Sequence, residues 1–345
     1  MLQQFIMLTL MLCTIALTKT VEIPFVTMSN GLKFPQLGLG TWQNTEHPEA
    51  IKSALDLGYR LIDTAFLYKN EKMIGTALKE YFEAGNLTRK DVFITSKLPY
   101  YAYKPEDAEK YIARQLESLQ TDYIDLYLIH WSMCAERKTD KDEPVTDNDG
   151  YHVPCNVSHS EVWKILEKYY EKGTFKAIGL SNFNETQIQT IYDQAEIKPH
   201  NYQGECHILF PQTKMIEFLR ALNISFTAYA PIGSRGRDKS NTRSDGDVFE
   251  QTPVKELAEK YNKTRAQILL RNHLQRGYTA IPKSTNPKHL AENLDIFDFE
   301  LSPEDMKKLD NIEHKRLFIF DKAIKSPEFP FKDVVDEFAD KPLTL

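Results

Sequence analysis

Eight short apolar runs alternate with amphipathic segments along this chain, and that alternation limits the folds open to it more than any other feature. The runs are Gln36–Gly40, Leu61–Asp63, Val92–Lys97, Ile124–His130, Ala177–Ser181, Tyr202–Glu205, Ser225–Tyr229 and Tyr278–Pro282. Between them, apolar residues recur at helical spacing over Glu49–Leu57, Glu71–Ala84, Pro105–Leu119, Ser160–Lys172, Glu185–Gln194, Lys214–Leu222, Val254–Tyr261 and Thr264–Gln275. Strands alternating with helices of this length make parallel β-α-β units. Eight such units predict α/β architecture as a closed (β/α)8 TIM barrel, not an open doubly wound sheet. Leu37-Gly38-Leu39-Gly40 leads into Thr41-Trp42, and no Gly-x-Gly-x-x-Gly turn opens a helix there, which weakens the Rossmann alternative. A hairpin over Phe25–Phe34, turning at Ser29-Asn30-Gly31, precedes the barrel. The C-terminal tail carries Phe318, Phe320, Phe329 and Phe331 among prolines, has no partner strand, and is expected to fold over the barrel mouth.

Polar residues fall at the ends of these strands. Asp63 ends the second run, Lys97 the third and His130 the fourth; Ser181 and Asn182 close the fifth, Gln203 lies in the sixth, Tyr229 ends the seventh and Lys283 follows the eighth. In a barrel the strand C-termini converge on one face, where barrel enzymes keep their active sites. Taken singly, Asp63 and Lys97 read as a structural ion pair, Tyr68 as a rim aromatic and His130 as a strand-end histidine. Taken together, at this spacing, they read as a site.

The motifs around these residues are specific: Gly-Tyr-Arg-Leu-Ile-Asp-Thr-Ala at 58–65, Asp-Leu-Tyr-Leu-Ile-His-Trp at 125–131, Lys-Ala-Ile-Gly-Leu-Ser-Asn-Phe at 176–183 and Ile-Pro-Lys-Ser at 281–284. With them the chain resembles the aldo-keto reductase family from Phe25 to about Phe331. The resemblance implies a catalytic tetrad of Asp63, Tyr68, Lys97 and His130 and reduction of a ketone or aldehyde by NAD(P)H. Hydride addition leaves an alkoxide that must be protonated, and a free phenol with a pKa of about 10 is a hesitant acid. Lys97, held by Asp63, is expected to lower the Tyr68 pKa, while His130 orients the substrate oxygen.

The resemblance also implies a cofactor site. Ser181, Asn182 and Gln203 would read the nicotinamide carboxamide, Tyr229 would stack on the ring, and Thr41 and Trp42 would border it. Ser234, in the loop from Ile232 to Arg237, would meet the pyrophosphate; Lys283, Ser284, Glu292 and Asn293 would hold the adenosine end. Lys283 favours NADPH, with NADH as the weaker possibility. His289 stands where phosphate-preferring relatives place an arginine, and so removes a fixed charge. The substrate pocket is expected from Trp42, Leu67 and Trp131. Pro99, where several relatives carry a bulky aromatic, predicts a wider mouth. No metal is expected, and the alternative reading is a nucleotide-binding or carrier protein on a reused scaffold.

Residues 1–20 differ from the rest. Phe5–Leu17 is nearly unbroken apolar sequence, too short to span a bilayer and suited to a signal peptide, although no Lys or Arg precedes it. This predicts a leader at 1–20, one reductase domain over 21–345 and a secreted or lumenal location. A leader on this scaffold is similar to secreted reductases of ecdysteroid ketones, which makes such a steroid the first substrate expectation. In an oxidising compartment Cys134 and Cys155 could bridge an acidic loop, leaving Cys206 as a buried thiol. Of five Asn-x-Ser/Thr sequons, Asn86 and Asn156 suit glycans; Asn184 reads as a helix cap, Asn223 precedes a strand, and Asn262 is the fifth. A formal charge of −6 without a basic stripe argues against nucleic acid as a partner. A small-molecule substrate and a monomer, with no membrane association after leader removal, complete the expectation.

Overall fold

The computed structural model describes residues 22–85, 87–236 and 246–331. The leader expected at 1–20, the sequon at Asn86 and Arg237 of the expected pyrophosphate loop lie outside the described residues.

Strands β1 (Phe25–Thr27) and β2 (Lys33–Pro35) form the antiparallel hairpin, with Gly31 in the left-handed region at its turn (φ 83°). Eight parallel strands follow: β3 (Leu39–Gly40), β4 (Leu61–Asp63), β5 (Phe93–Leu98), β6 (Ile124–Ile129), β7 (Phe175–Ser181), β8 (Asn201–Glu205), β9 (Ser225–Tyr229) and β10 (Thr279–Ala280). Each pairs with its neighbours in chain order, and parallel bridges Leu37 to Ala280 and Gly40 to Lys283 join the first strand to the last. The sheet is therefore a barrel. Gly40 permits the closure, because a Cβ there would stand 2.6 Å from the Ile281 carbonyl oxygen.

The outer ring contains α1 (Pro48–Leu57), α2 (Glu71–Glu83), α3 (Pro105–Leu119), α4 (His159–Glu171), α5 (Glu185–Gln194), α6 (Thr213–Ala221), α7 (Thr252–Tyr261), α8 (Arg265–Gln275), α9 (Pro287–Leu294) and α10 (Pro303–Asp310). Ser158, Asn184 and Thr264 cap α4, α5 and α8, each accepting a hydrogen bond from the backbone N–H of the third helical residue. The cap role read for Asn184 is thus present. The two short helices α9 and α10 were not expected from apolar spacing. Each begins with proline at its first position behind an asparagine or serine cap, a signal stronger than an eight-residue periodicity.

Cys134 and Cys155 form a disulfide that closes the loop after β6, and Cys206 is a buried thiol. The loop contains its own short antiparallel bridges, including Ala135 to Pro154 and Thr146 to His152. It also meets the tail: His152 N–H donates to Lys322 O at 2.8 Å, and Lys325 pairs with Asp149 at 3.0 Å. Ser132 Oγ donates to Glu328 O at 2.9 Å, fastening the tail beside Trp131. Among the described residues no helix is long and apolar enough to cross a membrane.

Candidate active site

Asp63 ends β4, Lys97 stands one residue before the end of β5, and His130 directly follows β6. Tyr68 ends a single 3-10 turn, Phe66–Tyr68, that follows β4. Barrel closure and this turn bring all four together. Lys97 Nζ donates to Asp63 Oδ1 at 2.7 Å, to Thr64 O at 2.9 Å and to the Tyr68 hydroxyl at 3.3 Å. The Lys97 side chain is 0% exposed and that of Asp63 3%, so each ion depends on the other in place of water. Gln203 Nε2 donates to the second Asp63 oxygen at 2.7 Å, and the Tyr68 and His130 rings meet edge to face with centroids 5.7 Å apart.

Burial dominates the electrostatics. It pushes the Asp63 carboxyl up, against the opposing Lys97 charge and the hydrogen bonds from Lys97 and Gln203. It pulls the Lys97 amine down, but Asp63 and Tyr68 together outweigh it and hold that amine above its ordinary value. At Tyr68 burial raises the phenol, Lys97 opposes the rise, and burial wins. Lys97 thus acts on Tyr68 in the direction expected, but the ammonium only limits the rise that burial imposes and does not reverse it. Such a phenol keeps its proton near neutrality and has it to give to a stronger base. His130 is pushed well below the ordinary imidazole range, first by burial and then by Lys97, and is neutral. Its Nδ1 is buried without a hydrogen-bond partner, leaving one ring nitrogen uncommitted by the protein.

Behind the tetrad stands Asn70, which sequence reading passed over. It occupies the position before α2 but does not cap it. Its amide donates to Thr41 O at 2.8 Å and Asn44 O at 3.1 Å and accepts from Thr64 Oγ1 at 2.7 Å, tying the loop after β3 to the end of β4. Thr41, expected beside the cofactor, is buried, and its hydroxyl donates to Asp63 O at 2.8 Å. The sequence offers only an asparagine directly before a helix, which points to a cap; its partners Thr41 and Thr64 come from other segments and are set by the fold.

On the far side of the mouth, Asn182 takes a left-handed conformation (φ 60°), and its amide donates to His130 O at 2.9 Å and Ser181 Oγ at 3.1 Å. Tyr229 OH donates to Asn182 Oδ1 at 2.9 Å, so Ser181, Asn182, Tyr229 and His130 form one linked group. Gln203, expected to join them, has turned its amide to Asp63 instead. A hydroxyl and side-chain amides beside a tyrosine ring are the donor and acceptor set that a carboxamide matches, and in that respect these residues fit a nicotinamide. Ser234 lies in a positive-φ turn after β9 (φ 46°). Lys283 and His289 are exposed, Ser284 and Asn293 buried, and Glu292 half-buried, 3.9 Å from Lys288 Nζ.

Rings line the mouth. Trp42, 37% exposed, and Tyr229 each meet Phe318 edge-on at 6.0 Å, while Trp131 meets Phe320 at 5.0 Å and Phe331 at 6.1 Å. Leu67 is half-buried in the turn that carries Tyr68. Tyr100, the residue after Pro99, stacks on His152 at 5.4 Å and meets Phe320 edge-on at 5.2 Å. Aromatic rings from the disulfide-closed loop and the tail therefore pack beside Pro99.

The residue pattern of the Aldo/keto reductase family matches residues 36–314. The chain is 38% identical over 320 residues to aldo-keto reductase family 1 member A1-A of Danio rerio, covering 89% of this chain and 98% of the fish protein. It is 41% identical over 299 residues to the Homo sapiens family 1 member A1 protein, covering 85% of this chain and 90% of that one. The structure of aldose reductase from Schistosoma japonicum superposes with a TM-score of 0.83 at 38% identity, over 90% of this chain and 99% of that one. These relatives correct one expectation. Close similarity to family 1 reductases argues against a secreted or lumenal location. Family and fold support NAD(P)H-dependent reduction of a small carbonyl compound, and the carrier reading falls away. Pattern, identity and superposition agree over nearly the whole described barrel, and the chain belongs to the aldo/keto reductase family.

Proposed function

We propose that this chain reduces an aldehyde or ketone to an alcohol with NADPH, Tyr68 acting as the general acid. The observation that carries the reading is the line from the buried Asp63 carboxylate through the buried Lys97 Nζ to the hydroxyl of half-buried Tyr68, 2.7 Å and then 3.3 Å. Reduced nicotinamide, when bound, would supply the hydride that the carbonyl carbon takes. His130, neutral, donates an N–H to the carbonyl oxygen and fixes its approach. Tyr68 then gives its proton to the developing alkoxide, and Lys97 stabilises the phenolate left behind, its own charge maintained by Asp63.

Ser181, Asn182 and Gln203 would hold the carboxamide in this reading, and Tyr229 would offer its ring as the stacking face. Thr41 backs Asp63 and Trp42 borders the ring site. Ser234 would meet the pyrophosphate, and Ser284, Glu292 and Asn293 would hold the adenosine end. Lys283, exposed beside the closing bridge to Gly40, favours the phosphate of NADPH, while His289 supplies less charge than an arginine and leaves room for NADH. Trp42, Leu67 and Trp131, with the tail phenylalanines, make an apolar aromatic mouth suited to a carbonyl with a flat apolar body, an ecdysteroid ketone being the polycyclic case. The enzyme works as a monomer of one domain.

The test is oxidation of NADPH and of NADH by the purified protein with nitrobenzaldehyde, glyceraldehyde and an ecdysteroid ketone. Turnover of at least the aromatic aldehyde, faster with NADPH, is expected. Folded protein that turns over none of them ends the proposal.

A further inference from the structure

Glu205, the last residue of β8, is a fully buried carboxylate that the chemistry above does not use. Its Oε1 accepts from Leu317 N–H at 2.6 Å and lies 2.9 Å from His207 Nε2; its Oε2 accepts from Phe318 N–H at 3.2 Å, with Arg316 Nη1 at 3.9 Å. A carboxylate bonded to two consecutive backbone N–H groups fixes the direction of the chain at that point. Leu317 then turns inward to pack in a core cluster with Val254, Leu257 and Leu309, while Phe318 turns to the mouth and meets both Trp42 and Tyr229. The Arg316 guanidinium lies over Phe331 at 3.7 Å and Phe210 at 4.2 Å, bracing the same turn of the tail.

We propose that Glu205 is a positioning residue that clamps the tail at 317–318, and that through this clamp Phe318 sets substrate specificity as the aromatic wall between Trp42 and Tyr229. The inference rests on the carbonyl-reductase reading of the mouth. Glu205 itself touches no reacting atom. Its effect passes through the Phe318 ring, so it belongs to the binding of an aromatic or apolar substrate and not to the proton transfer.

The test is a double-mutant cycle with nitrobenzaldehyde, NADPH and the whole chain. Glu205→Gln keeps the shape but replaces one acceptor oxygen with an amide that faces the tail N–H groups. It is expected to raise KM for nitrobenzaldehyde about tenfold with kcat within about twofold, a loss of binding and not of chemistry. The Kd for NADPH, read by quenching of tryptophan fluorescence, is expected to stay within about twofold. Phe318→Ala is expected to raise KM by a similar factor, and the double variant to be no worse than the weaker-binding single one, because both remove the same wall. Multiplicative effects, or an unchanged KM in E205Q, overturn the inference; if E205Q does not fold, the cycle is run with E205D, and an unchanged KM in F318A alone also overturns it. Absence of turnover in the wild-type protein removes the reductase reading and this inference with it, whereas wild-type turnover with independent effects removes the inference alone.

Discussion

The Lys97 ammonium and the Tyr68 hydroxyl stand 3.3 Å apart at the mouth of the barrel, joined across 29 residues of sequence by the pairing of two neighbouring strands. The contact matters because neither partner is solvated in the ordinary way. A lysine with a side chain 0% exposed stays charged only while Asp63 and Tyr68 face it.

Removing one partner of that pair therefore exposes the cost of burying the other. Asp63→Ala leaves Lys97 without its counter-ion and is expected to destabilise the fold by about 3–5 kcal/mol, measured by urea denaturation. Replacing both together, Asp63→Leu with Lys97→Met, is expected to recover most of that stability but none of the activity. A double variant as unstable as Asp63→Ala contradicts this reading.

Acid stability follows from histidines that the fold keeps neutral. Burial pushes His130 well below the ordinary range, His152 down to about 4, His273 down to about 3, and His200 down. Each has a folded pKa depressed below its unfolded one, so its contribution is fully present above about pH 6.5 and is lost as pH falls toward the folded values. Each removes up to about 1.4 kcal/mol per pH unit in that window. Glu71, pushed up by burial to about 7, works in the opposite sense: its contribution is present below about 4.5 and lost as pH rises through 7. Asp63 and Asp125, which burial also pushes up, act in the same sense as Glu71; the four imidazoles outnumber these three carboxyls, and the midpoint of urea unfolding is expected to fall between pH 6 and 4. A flat profile there would show these imidazoles to be free to charge.

Much of this was legible in the sequence because a barrel converts chain order into position. Asp63, Lys97 and His130 could be grouped from strand ends alone, and the helices from Glu49 to Gln275 appeared where apolar spacing set them. Other features depend on contacts between distant segments. Glu205 was visible only as the end of a strand, since its partners are backbone N–H groups of Leu317 and Phe318, which carry no sequence signature. Gln203 was read as a carboxamide contact, yet its amide faces Asp63. Lys97 lowers the Tyr68 phenol, as charge pairing apparent from residue types implies, whereas the depth of burial that outweighs it has no sequence signature.

The Cys134–Cys155 disulfide spans 21 residues and anchors a loop that meets Tyr100 and the tail. Reduction with a dithiol, or Cys134→Ser with Cys155→Ser, is expected to lower stability by about 3 kcal/mol as the unfolded chain regains its loop entropy. Differential denaturation of oxidised and reduced protein measures this. Identical midpoints contradict it.

In the proposed reading, cofactor choice turns on the surface charge at Lys283 and His289. Lys283→Met is expected to raise KM for NADPH about tenfold while leaving NADH within about twofold, because only the former carries the added phosphate. His289→Arg is expected to shift preference the other way. Equal effects of Lys283→Met on both cofactors would place that lysine away from the phosphate.

The most direct measurement of the central claim is single-turnover reduction of nitrobenzaldehyde by Tyr68→Phe with saturating NADPH, alongside the Kd for NADPH. A rate lower by about 10²–10⁴ with cofactor affinity unchanged is expected, since only the proton donor is gone. A variant that reduces the aldehyde at the wild-type rate would show that the proton comes from elsewhere.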